Sequence, residues 1–120
     1  MATIKSYTDL EQSKKLAEIL PLESADMVYV HTVDLEGDEH YDIDFRNNQP
    51  LFEDDISAWS LAALLSVIRE AIGYNLYGVD NVRMSCDLGD KPWELETEVY
   101  DNEIDACVDM IIKLHEMNLL

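Results

Sequence analysis

Carboxylates are the one reactive side chain this sequence holds in excess. Twenty-six Asp and Glu stand against eight Lys and Arg, a formal charge of −18 at pH 7. With that many acids, close pairs arise by number alone, so spacing singles out no general acid–base couple. Asp34, Glu36 and Asp38 open like a calcium-binding EF-hand loop, but the pattern fails further on. Gly37 stands at loop position four where six is required, and Phe45 occupies position twelve in place of glutamate. A looser Ca²⁺ site and a solvated turn remain as alternatives there. His31, His40 and His115 show no i,i+4 pairing and have no neighbouring cysteine, which gives a zinc site little basis. His31 reads as a satisfied strand histidine and His115 as a partner of a helix dipole. Four glycines form no phosphate loop, no G-x-S-x-G elbow occurs, and neither Cys86 nor Cys107 has a basic neighbour to activate it. No catalytic residue, cofactor site or metal site is therefore assigned. Trp59 and Trp93 read as core anchors or interface residues before they read as pocket walls.

The acids are concentrated in two bands. Residues 34–55 carry nine acids against Arg46, and residues 87–109 carry nine against Lys91. This charge opposes nucleic acid and anionic membrane as direct partners and favours a cationic partner or solvent alone. Within the bands, Asp42 and Asp44, together with Glu94, Glu96 and Glu98, form outward rows on expected strands. They are the candidate acidic interaction face. Same-face residues on a strand lie about 6.5–7 Å apart, near the spacing of phosphates along one DNA strand, so the rows also permit a DNA-mimic reading. Polar alternation on any solvated sheet gives the same pattern.

Those rows need elements to hold them. Thr8-Asp9-Leu10-Glu11 predicts a capping box opening a first helix that Pro21 stops. Met27 to Val33 is apolar on both faces, as a central strand is, and residues 34–39 around Gly37 form a turn. Tyr41, Ile43 and Phe45 alternate with His40, Asp42 and Asp44 in a half-buried strand, followed by a loop over residues 46–56. Ser57 is expected to cap a second, strongly apolar helix that runs to Ile72 and ends at Gly73. Residues 82–88 and 93–100 alternate as two more strands around the turn Gly89-Asp90-Lys91-Pro92. Ile104, Cys107, Val108, Ile111 and Leu114 stripe a last helix over residues 103–118. The expectation is a single α+β domain over residues 1–120, in the order α-β-β-α-β-β-α. Its four-stranded, mostly antiparallel sheet would carry helices on one face. The turns Asp34-Leu35-Glu36-Gly37-Asp38 and Asp87-Leu88-Gly89-Asp90 echo each other, as a duplicated αββ unit or ordinary hairpin composition would make them.

Three segments carry a resemblance: SYTDLEQSKKLAEILPLESADM over residues 6–27, WSLAALL over 59–65 and IDACVDMIIKLHE over 104–116. They resemble a group of short uncharacterised bacterial proteins, some carried by phage or mobile elements. That resemblance implies an accessory role and supplies no activity. Two cysteines on apolar faces, no membrane-length apolar run and no apolar stretch behind Lys5 to make a signal peptide point to a cytoplasmic protein with reduced thiols. The expected function is non-catalytic binding of another protein, through the acidic face or an exposed aromatic among Trp59, Tyr74 and Tyr77. A decoy inhibitor of a nucleic-acid-binding protein is the alternative. Edge strands and a small core make a homodimer compatible with the sequence.

Overall fold

The computed structural model describes residues 5–46, 54–78, 81–87 and 94–120. Trp93 and the expected turn at residues 89–92 lie outside them. Among the described residues there are three α-helices: α1 (Leu10–Ala17), α2 (Leu61–Ala71) and α3 (Glu103–Glu116). Six strands accompany them: β1 (Met27–Val33), β2 (Glu39–Phe45), β3 (Ile56–Ala58), β4 (Tyr74–Tyr77), β5 (Arg83–Asp87) and β6 (Glu94–Glu96). The class is α+β, as expected, but the single four-stranded sheet is replaced by two separate antiparallel sheets, β2-β1-β3 and β4-β5-β6. The reason is local. Each hairpin's central strand finds a third partner close by in sequence: Met27 to Tyr29 of β1 pair with β3, and all of β4 pairs with β5. With both sides of β1 and β5 occupied, neither central strand can pair with the other hairpin.

Two short strands carry no strand signal in the sequence, for identifiable reasons. Ile56-Ser57-Ala58 is too brief to show alternation, and it abuts the apolar run of α2. Tyr74 to Tyr77 follows Gly73 directly, where the sequence pattern indicated only exposed aromatics. The helix cap moves accordingly. Ser57 lies in β3 opposite Val28, while Ser60 caps α2 by accepting the Ala63 N–H. At the first helix the cap is Asp9, which forms a reciprocal capping box with Gln12. Thr8 is not free to cap. Its hydroxyl accepts the Trp59 N–H and pairs with the Ser13 hydroxyl at 2.7 Å, all within the core.

Helices do not line one face of one sheet. The main core lies between α2, α3 and the β4-β5-β6 sheet, with Leu64, Ile68, Met84, Ile104, Met110, Ile111 and Leu114 all excluded from solvent. A smaller cluster of Met27, Tyr29 and Ala58 joins Tyr7, Leu10, Ile43 and Ile56 where α1 meets the other sheet. Trp59 links the parts. It is fully buried, its backbone exchanges hydrogen bonds with Thr8, and its indole N–H donates to the Ser24 hydroxyl at 2.9 Å. That burial removes Trp59 from the exposed aromatics. Tyr74 is half-buried against the main core, under the Arg69 guanidinium at 5.8 Å.

Candidate protein-interaction surface

The expected acidic face is divided by the fold. Asp42 and Asp44 stand exposed on β2, whereas Glu94 and Glu96 belong to β6 of the other sheet, and Glu98 follows β6 outside any strand. Glu96 is held by Arg83 at 3.6 Å, and the Glu98 N–H donates to Asp109. Asp42 and Asp44 therefore share one sheet, Glu94 and Glu96 belong to a strand of the other, and Glu98 lies beyond it, in place of one continuous row; the Glu94 side chain lies outside what is described.

The more exposed of the two is the β1–β2 hairpin. Along β1 burial falls steadily, from Met27, Val28 and Tyr29 inside to Thr32 and Val33 outside. β3 pairs only with Met27 to Tyr29, so the distal half of the hairpin is a two-stranded ribbon among the described residues. On β2 only Ile43 is half-buried, and Phe45 is 68% exposed. The expectation of an inward row at Tyr41, Ile43 and Phe45 is thus met by Ile43 alone. The row has the right alternation, but of its three residues only Ile43 packs on the cluster of Met27, Tyr29 and Ala58.

The ribbon's tip is rigidly built. Asp34 accepts the Glu36 and Asp38 N–H groups at 2.9 Å each, and Gly37 adopts the positive φ of 86° that the turn requires. His40 Nε2 lies 2.8 Å from the other Asp34 oxygen, and this contact, aided by the turn amides, holds the Asp34 carboxyl below its ordinary range. These commitments explain Asp34 as a turn residue without a calcium ion. Below the tip, the His31 ring packs against Tyr41 at a tilt of 49°, with centroids 5.2 Å apart, and lies 3.5 Å from Glu39.

Two indentations were candidates for chemistry. A groove of about 540 Å³ runs between α2 and the 3₁₀ turn Leu22–Ser24, edged by Glu23, Asp26 and Glu70 over Ala62, Ala63 and Val67. Asp26 is already committed there, accepting both the N–H and the hydroxyl of Ser60. A second, of about 370 Å³, lies between α1 and α3 and gathers Lys5, Asp9, Gln12, Tyr100, Asp105 and Asp109. Here Lys5 Nζ lies 2.8 Å from Asp105 and 3.1 Å from Asp9, and Gln12 and Asn102 donate to Asp105 at 2.7 and 2.9 Å.

Burial penalises both Lys5 and Asp105, yet their mutual contact and the surrounding hydrogen bonds outweigh it. The ammonium is held above its ordinary value and the carboxyl below. Burial, with Asp109 nearby, pushes Tyr100 up to about 12. Burial likewise moves Cys86 to about 11 and Cys107 to about 12. Each of these displacements leads away from neutrality, opposite to what acid–base or thiolate chemistry at pH 7 requires. The cleft acts as a polar brace that ties the Lys5–Gln12 segment to the start of α3. Among the described residues no cluster of three His, Cys, Asp or Glu side chains converges on a common metal position, and no helix is long and apolar enough to cross a membrane.

Compared with protein-family models, curated proteins and solved structures, the chain matches none of them.

Proposed function

We propose that the chain is a non-catalytic, protein-binding module of the cytoplasm that engages its partner through the β1–β2 hairpin. The observation that carries this reading is the exposed ribbon itself. Val33, Tyr41 and Phe45 stand in solvent on a strand pair stiffened at its tip by Asp34 and Gly37. Exposed large apolar groups interleaved with charge on a rigid projection suit recognition of another protein. The shift of Lys5, Asp105, Tyr100 and both thiols away from neutrality supports a binding role over a catalytic one. An accessory role of the phage or mobile-element kind fits such a module, as the three resembling segments imply.

The test is capture of partners from the native source, comparing the wild-type chain with a Val33→Ser, Tyr41→Ser, Phe45→Ser triple variant. These side chains lie outside the main core, so the variant is expected to fold and to lose the partner. A partner retained in full by the variant overturns this reading. The decoy alternative keeps Asp42 with Asp44 and Glu96 with Glu98 as two short acidic rows. It calls for binding to a nucleic-acid-handling protein that DNA displaces and that weakens steeply with salt. Partner binding insensitive to both would remove it.

A further inference from the structure

Resting on the reading of the hairpin as the binding element, we propose that its β2 edge takes a partner strand in which basic and apolar residues alternate. The hydrogen bonding of the hairpin fixes which groups are offered. At one end the Arg46 N–H donates to the Asp26 carbonyl at 3.1 Å, and at the other the Asp34 N–H donates to the Asp38 carbonyl at 2.9 Å. Both pairs belong to the same register as Val28↔Asp44, Val30↔Asp42 and Thr32↔His40. Antiparallel ladders alternate bonded and non-bonded pairs, so the even-numbered residues of β2 bond to β1. Glu39, Tyr41 and Ile43 then direct their backbone N–H and C=O groups away from β1, whereas the outward Phe45 N–H donates to the Asp44 carboxylate at 2.8 Å. No strand among the described residues pairs with them there.

Side chains set the chemistry of the occupant. On one face of β2 stand Tyr41, Ile43 and Phe45, the first and last exposed; on the other stand His40, Asp42 and Asp44. In an added strand, residues opposite Asp42 and Asp44 lie on the acidic face, where Lys or Arg gains a cross-strand pair. The intervening residues meet the apolar row. Alternation in β2 is thereby mirrored as basic–apolar alternation in the partner, by strand addition at a sheet edge. Charge disfavours a second copy as the occupant. In the two-fold register centred on Asp42, that carboxylate faces itself, and like charges directly opposed destabilise a strand pair. The same acids guard the edge against aggregation until the matching segment arrives.

The experiment uses the full chain, ¹⁵N-labelled, and three synthetic ten-residue peptides: alternating Lys–Val, the same composition in two blocks, and alternating Gln–Val. The alternating Lys–Val peptide is expected to slow hydrogen exchange at the Tyr41 and Ile43 amides. It should bind about tenfold or more tightly than either control, two cross-strand charge pairs being at stake. Asp42→Lys with Asp44→Lys should lose a similar factor. Tyr41→Pro removes an outward N–H and no β1 hydrogen bond, so it should abolish the protection at the Ile43 amide while circular dichroism reports an unchanged fold. Equal binding of the block peptide, equal binding of the Gln–Val peptide, or indifference to Tyr41→Pro overturns strand addition by a basic segment. Concentration-dependent self-association that protects Tyr41 and Ile43 overturns it in favour of a second copy. If no peptide binds while a captured partner is still lost from the Val33, Tyr41, Phe45 variant, this inference fails and the hairpin reading stands. If that variant keeps its partner, both fail together.

Discussion

Two serines three residues apart have opposite fates, and the difference is physical. Ser60 has extended backbone ahead of α2, and its hydroxyl oxygen accepts the Ala63 N–H. Ser57, equally suited by type, is inside β3 with a buried hydroxyl that has no hydrogen-bond partner. Ser60→Ala should therefore cost about 1 kcal/mol, as lost N-caps do. Ser57→Ala should be neutral or stabilising by up to about 1 kcal/mol, because a desolvated, unpaired hydroxyl is removed. Urea unfolding midpoints of the two variants decide it, and the reverse order would return the cap to Ser57. Sequence alone favoured Ser57 because nothing in residue type distinguishes a three-residue strand from the turn before a helix. The cysteines were more legible, since both sit in apolar alternation or stripe. Cys86 and Cys107 are fully buried, and burial lifts them from an ordinary 9.0 to about 11 and about 12. A thiol pKa raised by folding contributes stability that is complete below the unfolded value and lost as pH climbs through the folded one. The wild-type chain should lose stability from about pH 9 towards pH 12, and a Cys86→Ala, Cys107→Ala variant should lose less over that window, as followed by thermal melts. Neither thiol should react with iodoacetamide at pH 7.5 until denaturant is added.

At the scale of elements, the helices were legible because their periodicity survives any sheet arrangement. The stripe of α3 (Ile104, Cys107, Val108, Ile111, Leu114) is buried as its spacing implies. Both hairpin pairings, β1 with β2 and β5 with β6, follow from the alternation around a turn, but the third strands β3 and β4 were not legible because each is too short to show a pattern of its own. What joins α1 to α3 was invisible for a related reason: Asp105 lies 100 residues from Lys5 and 93 from Gln12, and each is individually ordinary. Their brace makes an acid-sensitive joint. The Asp105 carboxyl is held below its ordinary 3.8, so its contribution is present above that value and is lost as pH falls through the lower, folded one. Asp105→Asn keeps the shape and removes the charge opposite Lys5. It should cost about 1 kcal/mol at pH 7, in the range of a partly buried charged hydrogen bond. The gap to wild type should close as pH falls below about 3.8. Denaturant midpoints at pH 7 and pH 3 measure both halves, and a gap that stays constant with pH would show that Lys5 and Asp105 are not coupled through charge.

For the whole molecule, the governing quantity is a charge of −18 spread over 120 residues. The fold disposes of part of it locally. Asp105 and Asp9 share Lys5, Asp109 holds Lys113 at 3.0 Å, and Asp34 faces His40. Eight basic residues cannot answer 26 acids, however, and Asp42, Asp44 and Glu98 remain exposed on structured backbone. Mutual repulsion of the remainder opposes compaction, and its reach is set by screening: about 30 Å at 0.01 M salt, which exceeds the length of the hairpin, but only about 3 Å at 1 M. Adding salt should consequently stabilise this protein, whereas a chain held by surface ion pairs would be weakened. Between about 10 mM and 500 mM sodium chloride the midpoint of thermal unfolding should rise by several degrees, about 1–2 kcal/mol for a domain of this size. Most of the rise should occur below about 150 mM, where the screening length changes fastest in absolute terms. Replacing sodium chloride by sodium sulfate at equal ionic strength separates screening from surface exclusion, because only the latter depends on the anion. Calorimetric scans across that series test it. A midpoint that is flat or falling with chloride would mean that the paired acids, and not the exposed ones, dominate the electrostatics of the folded state.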